Sequence, residues 1–424
     1  MGFAQFLKVC LFVMFNINCS LVYARISFQK DQRMDYVFPP LIEKSVDSRI
    51  PEGHLRPLGF QRHPDGKVQE TKGMPSPESF YKYIQDNQPV MMSGAMKNVP
   101  IAKTWEKDDY LKEKYGNISV PVSVRKQQFP GQVRIVQMKF KKFLLEYMYE
   151  DWYLATTIPL QMASELTIPQ CLSCGSYFHR LLESELWISS GFANTQLHSH
   201  SDHILHCLQF GRRDFILMKK EYKKNFEFVE EYPTSISGHS PLDMNKINMF
   251  KHTNFAKTPW VYASLYGGDC LYIPAEYLHQ VRSYGRAISY TIHFSPSTQF
   301  DLRGCFGDEV QKTFKLTDAN FLWTFTGGHK QLSNLKFSPE SFQKLLQLLL
   351  GAGDRLSFHQ FEHFYDMALK QDNKRPPALE VFWKMAKKDK DYMTRHEIDN
   401  FSPDKLMVVV KVLNSRFSKK KDEL

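Results

Sequence analysis

Three side chains able to bind a metal fall at alternate positions in one short stretch, and no other feature constrains the fold as tightly. Residues 187–203 read Trp-Ile-Ser-Ser-Gly-Phe-Ala-Asn-Thr-Gln-Leu-His-Ser-His-Ser-Asp-His. Side chains alternate along a strand, so His198, His200 and Asp202 are expected on one face. The surroundings agree, because the pattern from Pro75 to Pro296 is mostly short β runs. Downstream, Gly267-Gly-Asp-Cys-Leu-Tyr-Ile-Pro-Ala-Glu-Tyr-Leu-His279-Gln-Val ends a strand in a turn and supplies another histidine. A closing sheet brings His279 beside His198. Two histidines and a carboxylate on one side of a metal form the facial triad of non-heme iron(II) oxygenases, with positions left for cosubstrate and oxygen.

At these residues the chain resembles the JmjC-type, cupin-like dioxygenases that use iron(II) and 2-oxoglutarate. The likeness covers about half of the chain and has several independent parts. Pro77-Glu-Ser-Phe80, Pro89-Val-Met-Met-Ser-Gly94-Ala, Trp105, Tyr110-Leu111 and Tyr115-Gly116 match the family's N-terminal signature. Thr195-x-x-His198 and Gly211-Arg-Arg-Asp-Phe215 match the strand with the first ligand and the strand after it. Gly268-Asp269, Ile273-Pro274 and His279-Gln-Val281 match the strand of the distal ligand. The resemblance implies His198 and His279 as the proximal and distal iron ligands, with Arg213 and Thr195 anchoring 2-oxoglutarate. Arg213 stands where the family usually has a lysine. Its guanidinium pairs with a carboxylate bidentately but is larger, so the pocket has to differ.

The family's HxD carboxylate is here His200. An imidazole ligates iron but is neutral, so the site loses a charge that favours iron(II). Three readings stand. Asp202 supplies the carboxylate from one pleat further along; or the centre holds iron with three histidines; or turnover is lost and a catalytically inactive binding or chaperone-type protein remains. A fourth is a zinc-dependent hydrolase, since His198-x-His200-x-Asp202-His203 also fits the two-metal HxHxDH motif. That motif normally follows a buried parallel strand and leads into a Gly-containing turn, whereas Ile204-Leu-His-Cys207 continues as apolar strand. His203 and His206 read as strand or turn residues, His293 as a core histidine, and Trp187 and Phe192 as core.

Both ends of the chain restrict where such chemistry acts. Residues 1–24 read as a secretory leader, with Lys8 the only charge, an apolar run from Val9 to Phe15, and Val22-Tyr-Ala24 for the peptidase. Asn16 and Asn18 interrupt that run well short of the ~20 apolar residues of a membrane span. Lys421-Asp-Glu-Leu424 is a retrieval address. Together they predict the endoplasmic reticulum lumen, the KDEL receptor as a partner, and a secretory-pathway protein as substrate or client. The net charge of +10 hints at nucleic acid, but the lumen has no DNA and the basic residues are spread as solvated faces. No nucleic-acid partner and no membrane span after leader removal are expected. Asn117-Ile-Ser119 is a glycosylation sequon that this compartment allows. The leader takes Cys10 and Cys19, which leaves five of the seven cysteines. Cys171 and Cys174 are expected to close a local disulfide, and Cys207 and Cys270 to remain buried thiols.

From Ser338 the pattern turns helical. Ser357-Phe-His-Gln360 and Thr394-Arg-His-Glu397 are capping boxes, each opening a helix. Helix, short loop, capping box and helix occur twice, with Leu356 and Met393 at the apolar mid-loop positions, as in an EF-hand pair. The calcium chemistry is missing, because the ligand positions of the second loop read Ala386, Lys388, Lys390 and Glu397. A degenerate pair that does not bind calcium is expected. With 42% hydrophobic residues, 33 Phe and 20 Tyr, the chain is too apolar and aromatic for disorder as its main state. The expected order is leader 1–24, arm 25–74, a cupin-like double-stranded β-helix (jelly roll) over 75–300, linker 301–336, an all-α EF-hand-like domain 337–416, and tail 417–424.

Overall fold

The architecture comes from a computed structural model and is described for residues 37–415, apart from 43, 98, 100, 125–133, 179, 192, 194, 230–235, 296–299, 306–312, 320, 327–328, 334–335, 351–353 and 370–374. The expected leader, Phe192 and the Lys421–Leu424 tail lie outside the described residues. Thirteen strands form one sheet. In chain order they are β1 (Gly66–Lys67), β2 (Gln69–Lys72), β3 (Val90–Ser93), β4 (Ser119–Ser123), β5 (Ile135–Lys139), β6 (Tyr153–Thr157), β7 (Leu181–Ser189), β8 (His198–His200), β9 (His203–Met218), β10 (Ile236–His239), β11 (Val261–Tyr266), β12 (Cys270–Ile273) and β13 (Leu278–Phe294). The sheet is mixed: β1–β11 and β2–β3 pair in parallel and the rest antiparallel. The arm, expected to lack pattern, therefore contributes two short strands.

β9 and β13 organise the sheet. They pair antiparallel along most of their length, with a register break between Tyr284 and Ile288. The break has a cause in the sequence. Gly211 and Gly285 sit at φ of 94° and 66°, and a Cβ on Gly211 would lie 2.2 Å from the Arg286 carbonyl oxygen. Only glycine permits that backbone crossing. On either side of the bend each strand takes a different partner. The first part of β9 pairs with β12 and the last part with β11, while β13 pairs with β7 only beyond the bend. This lets the start of β13 also meet β8, with His279 directly opposite His198.

Helices pack against the sheet through the apolar side chains they bury. Ser76 caps the helix Pro77–Gln85 by accepting from the Ser79 N–H at 3.2 Å. Its Phe80 and Ile84 join Trp105, Phe140, Tyr147 and Tyr272 in the largest apolar cluster. No helix among the described residues is long and apolar enough to cross a membrane.

The cysteine expectations fail on both counts. Cys207 and Cys270 face each other across the β9–β12 ladder and form a disulfide, while Cys174 reaches Cys305, 131 residues away. Cys171, in the turn Gln170–Leu172, is fully buried as a thiol, and burial pushes its pKa up. Pairing is set by long-range topology, which spacing along the chain does not contain. A loop that long gives a disulfide contribution of roughly 5 kcal/mol in the chain-entropy limit. Alkylation of unreduced, denatured protein is therefore expected to label one of the five cysteines beyond residue 24, with the label on Cys171. Labels on Cys207 and Cys270 would show that the cross-strand pair does not form.

The C-terminal segment holds helices Pro339–Leu350, Phe358–Ala368, Ala378–Trp383, Arg395–Asp399 and Pro403–Asn414. Both capping boxes form: Ser357 with Gln360, and Thr394 with Glu397. The segment is not all-helical. Two short strands, β16 (Arg355–Ser357) and β17 (Tyr392–Thr394), pair with Leu356 opposite Met393. The expected linker also holds a hairpin, β14 (Trp323–Thr326) with β15 (His329–Leu332). Leu322, just before it, and Trp323, its first residue, pack into the helical core with Phe364, and Leu182 of β7 joins the same cluster.

Candidate metal centre

β8 contains only His198, Ser199 and His200, held between β10 and β13. The ring Nδ1 of His198 lies 2.8 Å from the Gln196 carbonyl oxygen, and that of His279 lies 3.1 Å from the Tyr277 carbonyl oxygen. A carbonyl only accepts, so both rings carry their proton on Nδ1 and present a bare Nε2. One ligand nitrogen from each of His198, His200 and His279 lies within 4.8 Å of the others, the only such group among the described residues. Ligands about 2.0–2.1 Å from a shared ion stand roughly 3–3.5 Å apart, so small side-chain adjustments close the triad on a metal. Burial holds His198 down at about 4 and His279 well below the ordinary histidine range. His198 and His279 are therefore neutral and ready to donate lone pairs at pH 7.

Asp202 does not join it. β8 ends at His200, and Ser201 and Asp202 form a bend, so the alternation that would bring the carboxylate to the same face stops short. Asp202 is buried, yet it stands outside the triad and does not line the cleft above it. His203 also stands apart. Its Nδ1 accepts from the Ala275 N–H at 3.0 Å and lies 3.1 Å from the Tyr272 hydroxyl, and its ring packs near Phe294. The second metal position of an HxHxDH hydrolase is therefore not assembled.

The triad lies on the wall of a cleft. Arg213 and Thr195 line the same cleft. Thr195 is pinned to β13: its hydroxyl oxygen accepts from the Val281 N–H at 2.8 Å. Arg213 is 2% exposed. Burial lowers its pKa, which the neighbouring Tyr153 hydroxyl partly offsets by hydrogen bonding. Its Nε and Nη2 have no partner among the described residues. A buried guanidinium with unpartnered N–H groups facing a cleft is built for a carboxylate.

His206 lies in β9 and His293, fully buried, in β13, as read from the sequence; both also line the cleft, as do Glu185 and Trp187, the latter expected in the core. Glu185 Oε2 lies 3.0 Å from His293 Nε2, and the His293 ring stands 5.0 Å from that of His200. Burial lowers the His293 pKa, but Glu185 outweighs it and the net shift is upward. The missed signal was parity across strands. Glu185 and Trp187 on β7, Ile204 and His206 on β9, and Thr291 and His293 on β13 are i, i+2 pairs that share the cleft-facing side.

Residues 76–300 match the family model described as a cupin-like domain. Over 241 residues the chain is 25% identical to "Lysine-specific demethylase JMJ30" of Arabidopsis thaliana, covering 54% of this chain and 55% of that protein. Over 239 residues it is 23% identical to "Jumonji C domain-containing protein 5" of Drosophila melanogaster, covering 52% and 57%. "JmjC domain-containing protein D" of Dictyostelium discoideum is 24% identical over 237 residues, covering 49% and 52%. The chain thus spans about half the length of the curated relatives it matches. The matched domain is β-sheet-rich with flanking helices, takes up more than half of the chain, and carries a histidine cluster in its cleft. The chain belongs to the cupin-like, JmjC-type family.

Proposed function

We propose that this chain is a 2-oxoglutarate- and iron(II)-dependent dioxygenase of the endoplasmic reticulum lumen that hydroxylates a side chain of a secretory-pathway protein. One observation carries the reading. Three imidazoles converge on one point, in a cleft that also holds a buried arginine whose Nε and Nη2 have no partner among the described residues. His198, His200 and His279 would hold the iron, and Arg213 with Thr195 would anchor the far carboxylate of 2-oxoglutarate. When bound, iron(II) and 2-oxoglutarate supply the two-electron oxidation of a C–H bond by oxygen, with succinate and carbon dioxide as co-products. The chain's own residues hold the reactants and exclude water: Arg213 orients the cosubstrate, the Gln196 and Tyr277 carbonyls orient two ligands, and Trp187 and Phe215 wall the cleft. The bends at Gly211 and Gly285 support a double-stranded β-helix, the jelly-roll frame of such sites.

The luminal address rests on the leader and the Lys421–Leu424 tail, with support from the two disulfides, which belong to oxidising compartments. Asn117 is exposed in the turn before β4, where a glycan is sterically permitted. "Lysine-specific demethylase" is said of the Arabidopsis relative, and a luminal address takes this chain away from chromatin. The paired capping boxes and the Leu356–Met393 ladder support an EF-hand-like pair. Lys390 Nζ lies 3.3 Å from Glu397 Oε1, so a tethered ammonium stands near the last carboxylate that a calcium ion would use.

A second reading, a catalytically inactive luminal binding protein, is favoured by His200 in place of the family's carboxylate. Succinate release from 2-oxoglutarate by the iron-loaded full chain separates the two, measured beside His200→Asp. Turnover by the wild type is expected. No iron binding and no succinate from the wild type, with activity appearing only in His200→Asp, would identify a decayed site.

A further inference from the structure

His206 is 5% exposed and lines the cleft. Its Nδ1 lies 2.9 Å from Thr291 Oγ1, and the Trp187 indole N–H donates to that same oxygen at 3.0 Å. An indole N–H only donates, so the threonine oxygen accepts there and keeps its own proton available for His206 Nδ1. With that proton donated to Nδ1, the neutral His206 ring carries its own on Nε2. Nε2 has no partner among the described residues, and neither do Nε and Nη2 of Arg213, which lines the same cleft. The Phe215 ring stands edge-on to His206 at 5.3 Å and restricts its rotation. Burial keeps the imidazole neutral, and the nearby Arg213 charge acts in the same direction.

We propose that His206 is a second anchor for the far carboxylate of 2-oxoglutarate, donating from Nε2 beside the Arg213 fork, with Trp187 and Thr291 as positioning residues that fix its tautomer. The inference rests on the reading of the cleft as a 2-oxoglutarate site. A carboxylate offers about four lone-pair positions, so Arg213 can take two and His206 a third without competition. A neutral donor here adds a hydrogen bond without adding a second buried cation beside the guanidinium.

The test is calorimetric titration of the full chain with 2-oxoglutarate, anaerobically with iron(II) bound, together with iron affinity for each variant. His206→Phe is expected to weaken 2-oxoglutarate on the order of ten- to hundredfold, the range for one hydrogen bond to a charged group. Iron affinity should stay at the wild-type value. His206→Gln, which keeps an N–H donor, should recover most of the loss. Thr291→Val leaves His206 in place but releases its tautomer, and should weaken 2-oxoglutarate severalfold; it also serves if His206→Phe does not fold. Wild-type affinity in both His206→Phe and Thr291→Val, with binding lost in Arg213→Met, would overturn the role of His206 and leave the site reading intact. A wild-type protein that binds iron but no 2-oxoglutarate would overturn the reading on which it rests.

Discussion

Replacing Arg213 by methionine is expected to weaken 2-oxoglutarate binding at least a hundredfold while leaving the protein as stable as the wild type or more so. The two halves of this result have one cause. Arg213 is 2% exposed, and its Nε and Nη2 have no partner among the described residues. Keeping a guanidinium in that state costs desolvation energy that only an anion from outside the chain offsets. An apolar side chain of similar length removes the cost, and replacing buried charge in this way is commonly neutral or stabilising by about 1–4 kcal/mol. Against this stands the lost hydrogen bond to Tyr153, about 1 kcal/mol. Binding moves the opposite way, because a bidentate charge-assisted pair disappears. Thermal melts and calorimetry on one preparation check both signs. A variant that melts far below the wild type and still binds 2-oxoglutarate would show Arg213 to be a structural cation.

The second large effect concerns the ligands. His279→Ala is expected to lower iron(II) affinity more than a hundredfold, since loss of a partner that merely orients a ligand already costs 10–100-fold. His198→Ala should match it. The pH dependence follows from burial. A histidine with an ordinary pKa of about 6.5 begins to trade metal for protons just below neutrality. His198 is held at about 4 and His279 well below the ordinary range. Protons compete at these two ligands only as the pH approaches that depressed range, so neither should weaken iron binding between pH 7 and about 5. Metal titrations across that interval check this, and an affinity that falls about a hundredfold per unit below pH 6.5, two protons' worth, would contradict it.

Much of this site was legible in the sequence, and its limits are physical. His198 and His279 were found because each carries a local pattern, and strand pairing then sets them face to face. Asp202 shows the opposite case. Alternation predicted a shared face, but it holds only while the strand continues, and the bend at Ser201–Asp202 lies one residue too early. Arg213 could be placed by resemblance, whereas its unpartnered N–H groups depend on the whole lining of the cleft. Glu185, His206 and His293 escaped because no local motif marks them, and each gains meaning only from neighbours on other strands. The disulfides failed for the same reason, as Cys207 and Cys270 are cross-strand partners 63 residues apart. In the C-terminal segment the capping boxes and the Leu356–Met393 match were legible because both are local. The hairpin at Trp323–Leu332 was not, since its strands are short and lean on the helical core.

The central claim is a three-histidine iron centre in which His200 occupies the position of the family's carboxylate. The most direct measurement is anaerobic iron(II) titration of the full chain beside His200→Ala and Asp202→Ala. One iron per wild-type chain, retained by Asp202→Ala and lost by His200→Ala, is the predicted result. Iron retained by His200→Ala and lost by Asp202→Ala would contradict it.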